Sequence, residues 1–224
     1  MTAPESGSPD GAWRDITPPA ARRMLVAAAA AFAGRGYHAT TTRDIAAQAS
    51  MSPAAVYIHY RSKEDLLFQV SRIGHAASLD VLTSATGPDP AARMASAVSA
   101  FASWHAEHHT TARVVQYELG ALTPEHLAEV VVLRKRIGAT VRRMIRDGVE
   151  AGAFHVPDVP GAALAVLSLC VDVARWYRPA GRRSPADIGA LHADLVLRML
   201  GCDPGPGNAE GPPGVAGRPL REQV

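Results

Sequence analysis

Aromatic residues make up only 5% of this 224-residue chain. A core of the size such a length allows must therefore come from aliphatics and alanine, with close helix packing. No run alternates apolar and polar side chains for the length of a strand, which argues against a sheet. The two cysteines, Cys170 and Cys202, are spaced neither as metal ligands nor as a disulfide framework. No uncharged stretch reaches the ~18–20 apolar residues of a membrane span. The polar start MTAPESGSPDG is not a secretory leader. The expectation is a cytoplasmic protein with no membrane association. No nucleophile–base arrangement points to an enzyme, and no cofactor signature is visible.

Net charge is also small, with 23 Lys and Arg against 21 Asp and Glu, but it is unevenly placed. Between Trp13 and Lys63 the basic residues are Arg14, Arg22, Arg23, Arg35, Arg43, Arg61 and Lys63, and the only acids are Asp15 and Asp44. A basic segment on an otherwise balanced chain implies a polyanionic partner at one end.

What is present is a succession of helix signals, and the fold class they imply is all-α. Residues 1–17, rich in Pro, Gly, Ser and Thr, read as a disordered arm, in which Arg14 is either a phosphate contact or part of an untethered tail. A first helix opens at Pro18-Pro19, presents Leu25, Ala28 and Phe32 on one face, and stops at Gly34-Arg35-Gly36. Thr41 and Asp44 form a capping-box pattern for a second helix. Ser50-Met51 makes a turn, and Ser52 with Pro53 opens a short third helix to His59. Ser62 caps a long fourth helix with Asp65 as box partner. This helix carries Leu66, Val70, Ile73, Ala77 and Val81 on one face, and a bend is expected at Gly74. Two short helices joined by a tight turn and braced by a preceding helix fit a helix-turn-helix over 18–61.

Beyond the break at 86–90, helices are expected over about 91–108, 111–122, 124–152, 160–177 and 184–201, so that 62–202 forms a second domain. The helix over 160–177 is apolar nearly all round, which requires burial on more than one side. Residues 203–224 are Gly- and Pro-rich and read as a disordered tail.

The segment GRGYHATTTRDIAAQASMSPAAVYIHYRSKEDLL resembles the N-terminal domain of TetR-family transcriptional regulators, specifically over about 22–70. The resemblance implies a homodimer that binds a palindromic double-stranded DNA operator, represses transcription, and is released by a small-molecule effector. Recognition helices reach the major groove with their leading residues while neighbours hold phosphates. Ser52, Ala54 and Ala55 stand at that leading end, and an alanine methyl can pack on a thymine methyl. Arg43 is the guanine-reading or phosphate-pairing candidate. By resemblance to the family, Thr42, Tyr57, His59 and Lys63 contact the DNA backbone and Tyr60 is a buried aromatic. One departure is that Pro53-Ala54-Ala55 is apolar where the family often carries glycine or a polar residue. Direct base contacts are accordingly expected to be sparse, with specificity leaning on DNA shape.

The resemblance also makes the helices over 160–177 and 184–201 the expected dimer interface, and the middle helices an effector chamber. Met94, Phe101, Trp104, His105, His108, Tyr117, Leu133, Trp176 and Tyr177 are its candidate lining. ELGALTPEH, the long helix over 124–152 and WYRPAGRRSPADI look similar to regulatory domains of TetR members that sense acyl-CoA thioesters. A hydrophobic tunnel with arginines at its mouth suits an acyl chain with anionic phosphates. Two alternatives remain open at this point. One is a metal-sensing or enzymatic bundle using His105, His108 and His109, although no Cys or carboxylate pattern supports a metal site. The other is a DNA-binding protein with no ligand.

Overall fold

A computed structural model describes residues 13–202. Among them lie ten α-helices and one short 3-10 turn, with no strand. The helices are α1 (Pro19–Arg35), α2 (Thr42–Gln48), α3 (Pro53–His59), α4 (Lys63–Thr83), α5 (Pro90–Glu107), α6 (His109–Tyr117), α7 (Pro124–Glu150), α8 (Val159–Val171), α9 (Val173–Trp176) and α10 (Pro185–Met199). The expected arm from 1 to 12 and the tail from 203 on lie outside the described residues.

The starts follow from local chemistry. Thr41 and Asp44 exchange hydrogen bonds in a full capping box at α2, and Ser184 and Asp187 do the same at α10. Ser52, Ser62, Asp89, Thr123 and Asp158 each accept a backbone N–H at the start of α3, α4, α5, α7 and α8. At α4 the box is incomplete, because Asp65 Oδ2 accepts the N–H of Arg61, 2.9 Å away, rather than that of Ser62.

Two hydrophobic cores result. The first gathers Trp13, Leu25, Phe32, Ile45, Val56, Tyr60 and Val70 from α1–α4, and also takes in Val114, Val115, Leu122 and Val130 from α6, α7 and the turn between them. The second joins α4, α5, α7, α8, α9 and α10 around Leu82, Phe101, Ile145, Val166, Ile188 and Val196. In it α10 lies along α5, while α7 runs along α4.

Four sequence expectations need correction. Residues 13–17 are not an arm, since Trp13 is only 2% exposed and sits in the first core. On α4, Leu66 and Val70 of the expected face are buried, but past them the buried side turns to Ser71, Gly74, His75, Ser78, Leu79 and Leu82, while Ile73, Ala77 and Val81 are half-buried. Small and polar side chains occupy that side because Gly74 lets α6 approach. A Cβ there would stand 3.1 Å from Val115 Cγ2. The sixth helix ends at Tyr117 rather than 122, and Leu119–Ala121 tightens to a 3-10 turn.

The helix over 160–177 breaks at Asp172, whose carboxylate takes Arg175 Nε at 2.7 Å and Arg175 Nη2 at 2.9 Å. Val159–Trp176 has the length and mean hydropathy (18 residues, 1.5) of a membrane span. This segment nevertheless spans two helices, which pack on α5, α6 and α7. Its outer side stays open, with Leu164 68% exposed.

Candidate nucleic-acid interface and effector cavity

The turn between α2 and α3 is tight: Met51 N–H bonds to Ala46 O at 2.9 Å, and Ser50 takes the left-handed conformation with φ 56°. Val56 is fully buried beneath α3, and Tyr60 hooks the end of α3 to α1 through its hydroxyl, which donates to Ala21 O at 3.0 Å. These anchors turn the other face of α3 outward. On it stand Ser52, Ala54 and Tyr57, all exposed, with Ala55 and His59 half-buried. Tyr57 is 59% exposed, and its hydroxyl lies 3.3 Å from Thr42 Oγ1, so these two sequence candidates form one surface pair across α2 and α3. Arg43 is exposed beside them and makes no ion pair among the described residues. Arg35 is instead drawn to Asp44 at 3.5 Å. The Asp44 carboxyl is held below its usual range, chiefly by its hydrogen bonds with Thr41.

Lys63, a candidate DNA-backbone contact, is already engaged within the chain. Its Nζ donates to Tyr37 O at 3.0 Å and to Thr40 O at 2.9 Å, and it lies 4.2 Å over the Tyr37 ring. Two of its three N–H groups tie α4 to the α1–α2 connection, leaving one for any outside partner. Ile58, absent from the candidates drawn from the sequence, is 76% exposed in the last turn of α3. The signal was available: with Val56 inward, residue 58 lies on the opposite side of a helix.

The connection between DNA-facing and C-terminal parts is polar and specific. Glu64, in the first turn of α4, accepts the Thr123 N–H at 3.0 Å and His126 Nδ1 at 2.8 Å. The His126 ring stacks on Phe68 at 3.8 Å. Glu118 Oε1 accepts the Tyr37 N–H at 3.1 Å. The ELGALTPEH segment therefore sits at the junction with the helix-turn-helix and not in the chamber.

A cavity of about 240 Å³ lies between α4, α5, α6, α7 and α8. Its wall comprises Gly74, His75, Ser78, Phe101, Trp104, His105, Ala112, Val115, Gln116, Arg134, Ile137, Leu164, Leu167, Ser168 and Val171. Of the nine sequence candidates, Phe101, Trp104 and His105 line it. Met94 is buried in the second core, and Leu133 and Tyr177 pack in or against it. His108 stacks on Trp104 from outside the lining, with ring centroids 4.7 Å apart. Tyr117 is 58% exposed, and Trp176 faces outward beside a shallower groove with His192.

The missed residues share a cause. His75 and Ser78 lie on a helix whose apolar pattern pointed elsewhere, and Gln116 and Arg134 are polar residues that helical periodicity assigns to solvent. The three clustered histidines do not converge. His105, His108 and His109 each turn Nδ1 onto a carbonyl of their own helix region, Phe101, Trp104 and Ala106 respectively. Among the described residues no group of three His, Cys, Asp or Glu is placed to hold a metal ion.

An exposed helix-turn-helix face carried by a helical body that encloses a cavity defines a DNA-binding transcriptional regulator of the one-component type. Comparison with known proteins gives the family. Residues 24–70 match the family described as bacterial regulatory proteins, tetR family, and residues 87–200 match the tetracyclin repressor-like C-terminal domain. The chain is 31% identical over 193 residues to the HTH-type transcriptional repressor KstR2 of Mycolicibacterium smegmatis, covering 80% of this chain and 90% of that protein. A solved tetR-family regulatory protein from Rhodococcus RHA1 is 44% identical, with a TM-score of 0.79, covering 84% of this chain and all (100%) of that one. AibR, solved with isovaleryl coenzyme A and operator DNA, shares the fold at 22% identity and a TM-score of 0.70, over 81% of this chain and 97% of that one. This chain belongs to the TetR family of transcriptional regulators.

Proposed function

We propose that the chain is a homodimeric repressor that holds a palindromic operator and is released when a small hydrophobic effector, an acyl-CoA thioester, enters the α4–α8 cavity. The observation that carries this reading is the course of α4. At one end Lys63 and Glu64 clasp the helix-turn-helix and the α6–α7 connection. About eleven residues on, some 16 Å along a helix axis, Gly74, His75 and Ser78 form part of the cavity wall. A ligand that displaces the wall displaces the clasp.

Supporting the effector class is a lining that is mostly apolar, with Arg134 exposed at its rim to meet anionic groups. The volume falls below the ~300–1,000 Å³ of most ligand pockets, so it suits the acyl part, with the nucleotide part outside. The repressor KstR2 and the operator- and thioester-bound AibR are relatives by sequence and by fold respectively. Dimerisation is supported by Leu164, Trp176, Leu195 and Met199, large apolar side chains left exposed on α8, α9 and α10. DNA contact is assigned to Thr42, Arg43, Ser52, Ala54, Ala55, Tyr57 and His59, with Ile58 added for thymine methyls.

The ligand need only prefer the non-binding arrangement of the two recognition helices. A ~100-fold preference corresponds to ~2.7 kcal/mol. A mobility shift with DNA from upstream of the chain's own reading frame, run with octanoyl-CoA and isovaleryl-CoA, tests this. A sequence-specific shift relieved by a thioester is the expected result. A shift that no thioester relieves removes the effector assignment, and no specific shift removes the whole reading.

A further inference from the structure

Two buried histidines of the cavity wall present hydrogen-bond acceptors that the protein does not itself engage. His75 is 7% exposed and His105 5% exposed, and each sets Nδ1 at 2.8 Å from a backbone carbonyl, Ser71 O and Phe101 O respectively. A carbonyl only accepts, so each Nδ1 carries the proton and each Nε2 offers a lone pair. Burial, the largest cause, pulls both imidazoles down to about 4, so both are neutral at pH 7. Neither Nε2 has a hydrogen-bond partner among the described residues. Neither is sealed off, since Ser71 Oγ is the one enclosed side-chain polar atom without a partner among the described residues.

Two more cavity groups have committed donors. The Ser78 hydroxyl gives its proton to His75 O at 3.0 Å. The Gln116 amide gives one to Val171 O at 2.9 Å. Ser78 Oγ and Gln116 Oε1, on two residues of the wall, therefore remain available as acceptors. The donors on the wall are the second amide hydrogen of Gln116, the Ser168 hydroxyl, the Trp104 indole N–H and, at the rim, the Arg134 guanidinium.

We propose that this cavity selects an effector whose buried part is an apolar skeleton bearing an alcohol hydroxyl, which donates its one proton to His75 Nε2 or His105 Nε2. The proposal rests on the cavity being the effector site and specifies what that site recognises. An unsubstituted hydrocarbon leaves two imidazoles unpaired in an apolar wall. A ketone or carboxylate in the same place sets lone pair against lone pair. A site of this kind rejects the analogue that lacks the donor, because the protein's own polar groups lose their partner.

The test is calorimetric titration of the full chain with eight-carbon chains, plain or hydroxylated at carbon 3, 5 or 8, each as free acid and as CoA thioester. At least one hydroxylated isomer is expected to bind ~10-fold more tightly than the plain chain of the same form. In the His75→Phe/His105→Phe double variant that ratio is expected to fall to about one. His105→Asn, which keeps a polar group, is a second variant with a smaller volume change, and it is expected to lose most of the gain. The proposal is overturned if no isomer outbinds the plain chain, if the gain survives in the double variant, or if no member of the series binds. Binding by the free acids but not the thioesters rejects the thioester assignment, while the hydroxyl ratio still decides the present proposal.

Discussion

The two cores of this molecule are built from the same aliphatic stock, yet they do different things. The first, under the helix-turn-helix, is closed. Its side chains fill the space between α1, α2, α3 and α4 and reach α6 and α7, and the proposed DNA contacts lie on the outer surface of α3. The second surrounds a void, which is the proposed effector site. The first is fixed by short-range chemistry, with a cap at the start of each of α2, α3 and α4. The second depends on how α4 to α8 lean together over long distances in sequence. The difference teaches where binding capacity comes from here: a face is specified by the residues that bear it, and a cavity by what its neighbours fail to fill.

The largest effect should come from truncating the closed core. Phe32→Ala leaves a hole that rigid neighbours cannot collapse into, and ~3–5 kcal/mol of stability is expected to be lost in urea or thermal unfolding. A loss under ~1 kcal/mol would mean that the first core is no tighter than the second.

The open core should instead reveal itself by pH. The folded pKa of His75 and His105 is near 4, below the ordinary 6.5. The unfolded chain therefore binds more protons between those values. Stability is full above pH ~6.5 and falls as the pH drops toward 4, by an order of ~3 kcal/mol for each histidine. Urea midpoints between pH 7.5 and 4.5 measure it, and replacing both histidines with phenylalanine should flatten the decline.

On the outer face of the second region, Leu195→Arg places a charge in the exposed apolar strip of α8–α10. A monomer by sedimentation is expected, together with an operator affinity reduced ~10²-fold or more, because two linked half-site contacts become one. A monomeric wild type would move the dimer face elsewhere.

On the outer face of the first region, Tyr57→Ala should weaken operator binding ~10-fold with little change in melting temperature. Arg43→Ala should lower the salt slope of binding by about one. The smallest effect expected is from Ser50→Gly, which relieves the left-handed turn residue and should stabilise the protein by ~0.5–1 kcal/mol.

The contrast between the cores also explains what was legible in the sequence. Thr41, Ser52, Ser62, Thr123 and Ser184 marked helix starts because a cap acts within four residues of itself. Tyr57 and Thr42 were picked out by resemblance to the family, and the structure places both at the surface as one pair. The lining of the cavity was not legible in either way. His75 and Ser78 are buried because Gly74 draws α6 close, a contact across some forty residues of chain that no periodicity records. Aromatic residues suggested the chamber, and only Phe101, Trp104 and His105 proved to line it. Tyr117 is turned outward just where the helix ends. The break at Asp172 was likewise hidden, since an apolar run looks the same whether it is one helix or two.

The central claim is that α4 makes the cavity and the recognition helices parts of one device. The most direct test is the distance between the two helix-turn-helix units, measured by pulsed electron spin resonance on a dimer labelled at Gln48→Cys, the end of α2, in a Cys202→Ser background. On operator DNA a single narrow distance is expected, consistent with half-sites one turn (~34–36 Å) or a multiple apart. With a releasing effector in place of DNA, that distance should shift to a new value. An unchanged distance in the effector-bound, DNA-free protein would contradict the account.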